Sequence, residues 1–280
     1  MKQKFVTRKI KLNSRDIFSP AKTFDCGQCF RFEEKGGYTE GVVSGALLRI
    51  KTGDSQGEIE YMTTKEEGID SFFDPDRCYY DMSDDFISRF DGRGKDALNL
   101  ALEKGFGIRI LKQEFWEALI SFIISQNNNI PRIKKNISSI SRAFGERFVF
   151  ESEDYYAFPT PDALLDAGVG ALEELKLGFR AKYIVDAARR VILGEINEEE
   201  LLLLDTDSAS KKLQTIYGVG PKVAACTLLY GLGRLETVPV DVWMKKVFSK
   251  YFDTTPDLGI WGGVAQQYLF YNERFIIEGK

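Results

Sequence analysis

The sequence predicts an α+β protein in which an N-terminal antiparallel β-sheet domain precedes an all-helical body of two lobes. Three observations lead to this prediction. The first third contains short β-rich runs separated by glycine-containing breakers, and after Gly107 apolar residues recur at helical spacing. The third observation is the length of 280 residues, which exceeds that of one small domain.

The predicted strands lie within residues 24–32, 41–50 and 57–63. These runs alternate in polarity or are rich in β-branched and aromatic residues, and Gly-Gly and Gly-Asp pairs separate them. We therefore expect an antiparallel β module that ends near residue 105.

The first predicted helix covers residues 114–126, where aromatic and aliphatic residues on several sides indicate a nearly buried helix. Further helices are expected at residues 131–144, 161–167, 172–175, 181–193, 208–216, 221–232, 242–251 and 261–271. We find no internal repeat and no long disordered linker. Helices this numerous can form two lobes.

Histidine is absent, so mechanisms that need an imidazole base or ligand are excluded. Chemistry must come from carboxylates, lysine or thiols. Cys26 and Cys29 have the spacing of half a zinc or redox motif, but no second pair follows. We interpret both as small packing residues and expect no metal ion and no other cofactor.

No apolar run approaches the ~18 residues of a membrane span, and basic residues near the N-terminus argue against a secretory signal. We therefore expect a monomeric cytoplasmic protein, associated with the nucleoid if the source is bacterial, and no membrane partner. The net charge of −4 argues against an anionic partner. Residues 211–250, however, contain seven basic and two acidic side chains, and this local field keeps DNA a candidate partner.

The segment 216–226 reads Ile-Tyr-Gly-Val-Gly-Pro-Lys-Val-Ala-Ala-Cys and lies between two helical patterns. Gly218 and Gly220 permit backbone conformations closed to other residues, and Pro221 suits the first turn of a helix. This predicts a helix, a tight hairpin and a second helix whose free N–H groups can hold a phosphate oxygen. On the glycines alone, an ordinary helix–helix turn with a glycine cap is the preferred interpretation.

The segment 238–243 reads Val-Pro-Val-Asp-Val-Trp and places Asp241 at the N-cap of the next helix. A lone aspartate there would be a cap and nothing more. Together, however, Gly-Val-Gly-Pro-Lys-Val-Ala and the following Val-Pro-Val-Asp resemble the helix-hairpin-helix superfamily of DNA glycosylases. In that superfamily a lysine just after the hairpin, here Lys222, marks the members that also have lyase activity.

Four further segments narrow the resemblance to the 8-oxoguanine DNA glycosylases, since they match that family in the same order along the chain. They are residues 26–31, 126–133, 177–183 and 263–270. The resemblance implies a β-sheet domain over residues 1–107 and a second helical lobe over residues 132–206. It also implies that residues 108–131 and 207–280 form the lobe with the helix-hairpin-helix and the catalytic residues.

The resemblance implies that Lys222 attacks C1′ of the damaged nucleotide, which is turned out of the duplex. A neutral amine can expel the base and leave a Schiff base that permits strand cleavage by β-elimination. We assign Asp241 chiefly to stabilising the positive charge that develops on the sugar. Without the family match, Lys222 would be interpreted as a solvated phosphate contact.

Base recognition is implied for Gly27, whose carbonyl matches the acceptor of the N7–H that distinguishes 8-oxoguanine from guanine. Phe270 and Cys226 match the residues that sandwich the base, and Gln266 matches one that bonds its Watson–Crick edge. Without the match, Gly27 would be an ordinary strand glycine and Phe270 a core residue.

The DNA-binding residues implied by the match lie in three places. Asn127 and Phe179 match residues that fill and wedge the vacated duplex position, and Arg132 and Arg180 match arginines that face the estranged cytosine. The hairpin positions are Gly218, Val219, Gly220 and Lys222, and Trp243 stands where eukaryotic members have a phosphate-contacting histidine. Phe179 replaces a tyrosine of those members, and Tyr217 replaces the proline of many hairpins.

Two other functions compete with excision of 8-oxoguanine from duplex DNA opposite cytosine. A catalytically silent helix-hairpin-helix protein needs neither Lys222 nor Asp241. A related glycosylase for other damaged bases would either lack the lysine or, in the iron–sulfur type, need four closely spaced C-terminal cysteines that are absent here.

Overall fold

The computed structural model describes residues 4–277 and 279, and its N-terminal part is an antiparallel sheet. Five strands form the main sheet in the order β1-β7-β5-β4-β3, and two short strands, β2 and β6, form a second pair. The strands are β1 (Val6–Lys11), β2 (Ile17–Phe18), β3 (Phe32–Lys35), β4 (Tyr38–Val43), β5 (Ala46–Lys51), β6 (Ser55–Gln56) and β7 (Glu58–Thr63).

The sheet confirms the predicted fold class, although one of the three predicted strands is wrong. Residues 57–63 become β7, and residues 41–50 become most of β4 and β5, joined by a turn at Ser44 and Gly45. Residues 24–32 instead end a short helix, α1 (Pro20–Phe24), and continue as an irregular loop. The buried Gln28 side chain supplies hydrogen bonds that a strand neighbour would otherwise provide. Its Nε2 donates to the Arg109 carbonyl at 2.8 Å, and its Oε1 accepts from the Leu111 N–H at 2.8 Å.

Two helices interrupt the region predicted to be sheet, α2 (Tyr79–Ser88) and α3 (Gly92–Gly105). Asp16 caps α2 from a distant part of the chain, because its carboxylate accepts from the Tyr79 and Tyr80 N–H groups at 3.1 and 3.0 Å. The same carboxylate pairs with the fully buried Arg109 at 2.9 Å. Local patterns do not reveal such a cap.

The remaining helices form the body. They are α4 (Phe115–Ile124), α5 (Ile130–Phe144), α6 (Pro161–Glu174), α7 (Arg180–Ile192), α8 (Glu198–Leu203), α9 (Thr206–Leu213), α10 (Pro221–Cys226), α11 (Val242–Tyr251) and α12 (Gly262–Tyr271). Short π-helical turns follow α10 at Thr227–Gly231 and α12 at Asn272–Ile277. A β8 (Arg147–Phe150) and β9 (Glu153–Tyr156) hairpin, which the sequence did not predict, connects α5 to α6.

Several helix predictions are confirmed in detail. Helix α4 is buried on nearly every side, and α11 has the predicted bounds. The two short segments predicted at 161–167 and 172–175 are halves of α6, which Gly168 interrupts with a φ of +71°. Asn129 caps α5 by accepting from the Arg132 N–H at 3.0 Å.

Two large hydrophobic cores and one small cluster, which contains Val42, Leu47 and Phe150, organise the residues that the structure describes. The sheet core contains Phe18, Ile59 and Phe73, and the larger core surrounds α4. Helices α2 and α3 belong to the larger core, since Phe86 and Leu98 pack there with α12. The predicted domain bounds of 1–107, 108–131 with 207–280, and 132–206 stay a prediction, but the packing joins α2 and α3 to the helical body.

None of the helices in the described ranges combines the length and apolar character that crossing a bilayer requires. Cys26 and Cys29 are both buried, and burial raises the pKa of the Cys26 thiol to about 12. They therefore pack as neutral thiols, which supports their interpretation as packing residues.

Candidate active site and DNA-binding surface

A tight hairpin joins α9 to α10 and has the geometry that the glycines predict. Gly218 has a φ of +78°, and a Cβ there would lie 2.3 Å from the Tyr183 ring, so only glycine fits. The Tyr217 N–H donates to Asp186 Oδ2 at 2.8 Å, which ties the hairpin to α7. Pro221 occupies the first turn of α10.

The hairpin leaves some backbone donors available to a ligand. The N–H groups of Gly218 and Gly220 have no hydrogen-bond acceptor among residues 4–277 and 279. Val219 differs, because its N–H donates to the Ile216 carbonyl at 3.0 Å and its side chain is buried. Val219 stays a predicted DNA-binding residue, and its N–H and side chain are already engaged within the hairpin.

Lys222 lies in the first turn of α10 and is half-buried. Its Nζ donates to Ser125 Oγ at 3.1 Å and lies 5.1 Å from the centroid of the Phe122 ring. Neither partner was predicted from the sequence. Ser125 caps the C-terminal end of α4, so the buried helix positions the lysine.

Asp241 is the N-cap of α11, as predicted. Its Oδ1 accepts from the N–H groups of Trp243 and Met244, each at 2.9 Å. These two bonds fix the carboxylate in one orientation at the positive end of the helix. The side chain is half-buried and lines the same pocket as Lys222.

One small pocket brings together residues that are far apart in the sequence. Its walls include all six residues predicted for catalysis and base binding, together with four that were not predicted. The predicted ones are Gly27, Lys222, Cys226, Asp241, Gln266 and Phe270, and the others are Phe122, Tyr230, Pro239 and Gln267.

Two adjacent glutamines in the pocket differ in their hydrogen bonding. Gln267 accepts from the Tyr230 hydroxyl at 2.6 Å and donates to the Cys26 carbonyl at 3.0 Å. The Oε1 atom of Gln266, by contrast, is buried and has no hydrogen-bond partner among residues 4–277 and 279. A buried acceptor without a donor is costly, so this atom is available for a ligand that brings a donor.

Cys226 lies one helical turn after Lys222 and is almost fully buried. Burial raises the pKa of its thiol to about 11, although the neighbouring Lys222 acts in the opposite direction and Asp241 reinforces the rise. The thiol is therefore neutral at physiological pH and forms an uncharged wall of the pocket.

Gly27 lies in the loop that Gln28 holds in place, and its φ of +84° is in the left-handed region. A Cβ at this position would lie 3.5 Å from Phe270 Cε1 and 3.4 Å from Ile130 Cδ1. The loop of the sheet domain therefore meets α12 directly at the pocket.

A second group of predicted residues lies on the surface near the N-terminal ends of α5 and α7. Asn127 is exposed and has a φ of +48°, and Phe179 and Arg132 are also exposed. Arg180 is buried instead. Its guanidinium donates to the carbonyls of Gln126 and Asn127, with the Nε to Gln126 bond at 2.9 Å.

A larger groove lies between β3, β4, α5 and the β8–β9 hairpin, and it contains none of the predicted site residues. Both signs of charge line it, including Lys134 and Arg142 beside Glu33 and Glu153. Its size alone does not make it the site, because it lacks both the predicted nucleophile Lys222 and the buried Gln266 acceptor.

Comparison with known proteins agrees with this geometry. The 8-oxoguanine DNA glycosylase N-terminal domain family matches residues 9–119, and the HhH-GPD superfamily of base excision DNA repair proteins matches residues 120–257. A probable N-glycosylase/DNA lyase of Methanothermobacter thermautotrophicus is 31% identical over 66% of this chain and 64% of its own length. The N-glycosylase/DNA lyase of Saccharomyces cerevisiae is 39% identical over 51% of this chain. The match covers 42% of the yeast protein, so the chain spans less than two thirds of these two relatives.

Solved structures match over the whole chain. MBOgg1 in complex with a low-affinity DNA ligand has a TM-score of 0.86 and 35% identity, with 100% of both chains covered. The Clostridium acetobutylicum 8-oxoguanine glycosylase/lyase, solved with DNA containing cytosine opposite 8-oxoguanine, has a TM-score of 0.83 and 33% identity. That match covers 95% of this chain and 97% of the other.

The fold and the lysine after the hairpin therefore define a DNA glycosylase of the helix-hairpin-helix superfamily. Within that class, the N-terminal domain family and the two full-length structural matches at 33–35% identity belong to one branch. The chain belongs to the 8-oxoguanine DNA glycosylase family.

Proposed function

We propose that the protein removes 8-oxoguanine from duplex DNA, preferentially opposite cytosine, and then cleaves the strand by β-elimination. The observation that carries the proposal is the shared pocket of Lys222, Asp241 and the unpaired Gln266 acceptor. Such a reaction requires a nucleophile, a fixed carboxylate and a group that can bond the base, all in one place.

Lys222 is the nucleophile in this proposal. The lone pair of its neutral amine forms a bond to C1′, the C1′–N9 bond breaks, and the bonding pair leaves with the base, which takes up a proton. The attached amine then loses one proton, and its lone pair forms a protonated Schiff base as the C1′–O4′ bond breaks and O4′ takes up a proton. Removal of a proton from C2′ then expels the 3′ phosphate. Ser125 holds the amine beside the pocket.

Asp241 stabilises the positive charge that develops on the sugar as the base departs. Its bonds to two α11 N–H groups hold the carboxylate in place, so little reorganisation is needed during the reaction. Because these bonds use Oδ1 alone, Oδ2 is the oxygen assigned to the sugar.

Base selection rests on Gly27, Gln266 and the two walls of the pocket. We assign the Gly27 carbonyl to the N7–H of 8-oxoguanine, where guanine would present an acceptor against an acceptor. Gln266 bonds the Watson–Crick edge, and Phe270 and Cys226 sandwich the ring. The neutral Cys226 thiol suits contact with an uncharged base.

Duplex DNA is the partner in this proposal, and Gly218 and Gly220 supply phosphate-binding N–H groups at the hairpin. Asn127 and Phe179 fill and wedge the vacated position, and Arg132 and Arg180 face the cytosine. The protein acts as a monomer in the cytoplasm, or at the nucleoid if the source is bacterial.

The test is covalent trapping on a duplex with 8-oxoguanine opposite cytosine. With borohydride present, the wild type should form an adduct that maps to Lys222, and Lys222→Gln should form none while it still binds the duplex. Lys211→Gln, an exposed lysine on α9, is the matched control for loss of one positive charge and should be trapped normally.

Trapping of Lys222→Gln at the wild-type yield would remove this lysine from the mechanism. Binding without excision by the wild type would favour a non-catalytic DNA-binding protein. Release of alkylated bases but not of 8-oxoguanine would favour the second alternative. The fold alone does not decide, because a 3-methyladenine glycosylase of Archaeoglobus fulgidus has a TM-score of 0.74 at 20% identity.

A further inference from the structure

The π-helical turn after α12 places an arginine beside the proposed active site. Arg274 lies in this turn, and its guanidinium carbon is 5.6 Å from the Trp243 and Phe270 ring centroids and 5.7 Å from that of Phe275. Phe270 is a wall of the base pocket, and Trp243 is in the first turn of α11, two residues after Asp241. Three aromatic rings therefore hold one cation at the edge of the pocket.

Arg274 has no hydrogen-bond partner within the described residues, and its Nε is buried. The neighbouring carboxylate, Glu273, does not compensate for this. Glu273 accepts from Lys250 Nζ at 3.0 Å and from the Tyr251 hydroxyl at 3.1 Å, both near the C-terminal end of α11. Consecutive residues of the turn thus contact opposite ends of α11, and the acidic one is already paired.

The surroundings of Arg274 indicate an anionic ligand. A guanidinium presents five N–H donors and no acceptor, so it suits a ligand that offers several acceptor atoms. Burial lowers the pKa of Arg274, and the nearby Asp241 carboxylate acts in the opposite direction. A half-buried cation without a partner gains most from a phosphate, to which arginine can donate two parallel bonds.

A cation at this position would also offset the negative charge of Asp241. Its negative charge at the N-terminal end of α11 would repel the phosphates that flank a nucleotide entering the pocket. Trp243 carries a second cation as well, because Lys246 Nζ lies 5.4 Å from its ring centroid. The indole is thus contacted by two positive side chains beside the carboxylate.

We propose that Arg274 binds a phosphodiester group that flanks the flipped nucleotide, and that Trp243 is the surface that orients its guanidinium. The phosphate contact that was predicted at Trp243 is thereby assigned to Arg274, which lies in the turn after α12. The Trp243 indole supports the guanidinium. The inference rests on the proposed function only in requiring that a nucleotide is turned into the pocket.

Binding to a duplex with a tetrahydrofuran abasic analogue opposite cytosine tests this proposal, since such DNA has no base to occupy the pocket. Arg274→Gln should weaken binding about 10-fold and reduce the slope of log affinity against log salt by ~0.9, the loss of one phosphate contact. Arg93→Gln removes an equally positive but exposed side chain on α3 and should change neither quantity.

Methylphosphonates identify the contact directly. A neutral linkage placed 5′ or 3′ of the analogue should weaken binding by the wild type. At the position that Arg274 contacts, the same linkage should cause little further loss of affinity in Arg274→Gln. Arg274→Lys keeps the charge without the planar fork, so its affinity for the duplex should lie between those of the wild type and Arg274→Gln. This variant also serves as a second test in case glutamine disturbs the fold.

Equal losses from both methylphosphonates in the wild type and Arg274→Gln, with an unchanged salt slope, would overturn the proposal. So would an Arg274→Gln defect confined to duplexes that contain the 8-oxoguanine base, because the arginine would then read the base. Borohydride trapping of the wild type on the lesion duplex is measured in parallel, so failure of the proposed function is recognised separately.

Discussion

The proposed base pocket and the proposed opposite-strand surface differ in how far their side chains are already engaged within the protein. In the pocket, Gln267 and Asp241 are fixed by hydrogen bonds while the Gln266 acceptor is left without a partner. At the opposite-strand surface, Arg180 already donates to backbone carbonyls of its own protein. The polar groups of the proposed pocket are therefore already oriented, whereas Arg180 must exchange existing bonds before it can contact a base.

Under the proposed function, this difference predicts that binding of the damaged base and contact with the opposite base contribute different free energies. Side chains that are already oriented contribute more of their interaction to a ligand, because they reorganise less on binding. A side chain that must leave satisfied bonds gains only the difference between two sets of bonds. We expect strong selection of the lesion and a weaker selection of the opposite base.

The largest effect should come from Asp241→Asn, which tests whether the pocket acts on the transition state. Asparagine caps a helix as well as aspartate does, so the substitution removes the charge and keeps the cap. The single-turnover excision rate should fall about 100-fold or more. Affinity for lesion DNA should change far less. An unchanged rate would reduce Asp241 to a helix cap.

A second substitution, Gln266→Met, tests the unpaired acceptor. The base would lose a hydrogen bond worth ~1–3 kcal/mol, so excision of 8-oxoguanine should slow about 10-fold or more. The free energy of unfolding should not fall and should rise by about 1 kcal/mol, because a buried polar atom without a partner is removed. Chemical denaturation and single-turnover kinetics measure the two changes. Loss of stability together with full activity would contradict the assignment.

A smaller effect is expected from Gly27→Ala. The left-handed backbone at this position costs alanine ~1–2 kcal/mol, and its Cβ would contact Phe270. We expect excision of 8-oxoguanine to slow about 10-fold, with cleavage at a preformed abasic site nearly unchanged. Gly36→Ala is the matched control, since Gly36 has a φ of +59° and open space around it. Equal slowing in both variants would indicate a general loss of stability.

The smallest effects concern the opposite strand and separate the two arginines. Arg132→Ala should lower the ratio of excision opposite cytosine to that opposite adenine, because an exposed donor to the O2 and N3 acceptors is lost. Arg180→Ala should lower the same ratio and also slow excision opposite every base, since it releases the Asn127 turn. If the wild type excises 8-oxoguanine at equal rates opposite all four bases, both arginines would be assigned to phosphate contacts instead of base contacts.

Local signals in the sequence predicted the hairpin and α11 well. Glycine, proline and capping aspartate act within a few residues of their own position, so Gly218, Pro221 and Asp241 fix their turns without help from distant residues. The resemblance to a family then indicated the pocket residues, which the structure brings together although they span residues 27 to 270.

Non-local hydrogen bonds explain what the sequence did not predict. The loop after α1 has the composition of a strand, but Gln28 replaces strand pairing with bonds to residues 109 and 111. Helix α2 depends on Asp16 for its cap, and α3 contains glycines that weaken its helical pattern. Ser125 and Arg274 have no distinctive local pattern, so only the folded geometry reveals them.

The hydrogen bond from Gln267 to the Cys26 carbonyl joins segments 241 positions apart. During synthesis the loop that contains Gly27 leaves the ribosome long before α12, so the sheet domain must wait for α12 before its pocket has a second wall. A ribosome-bound nascent chain that lacks α12 already contains Lys222 and the hairpin. Under the proposed function, such a chain would have the hairpin that contacts DNA phosphates but no complete cavity in which to hold a base.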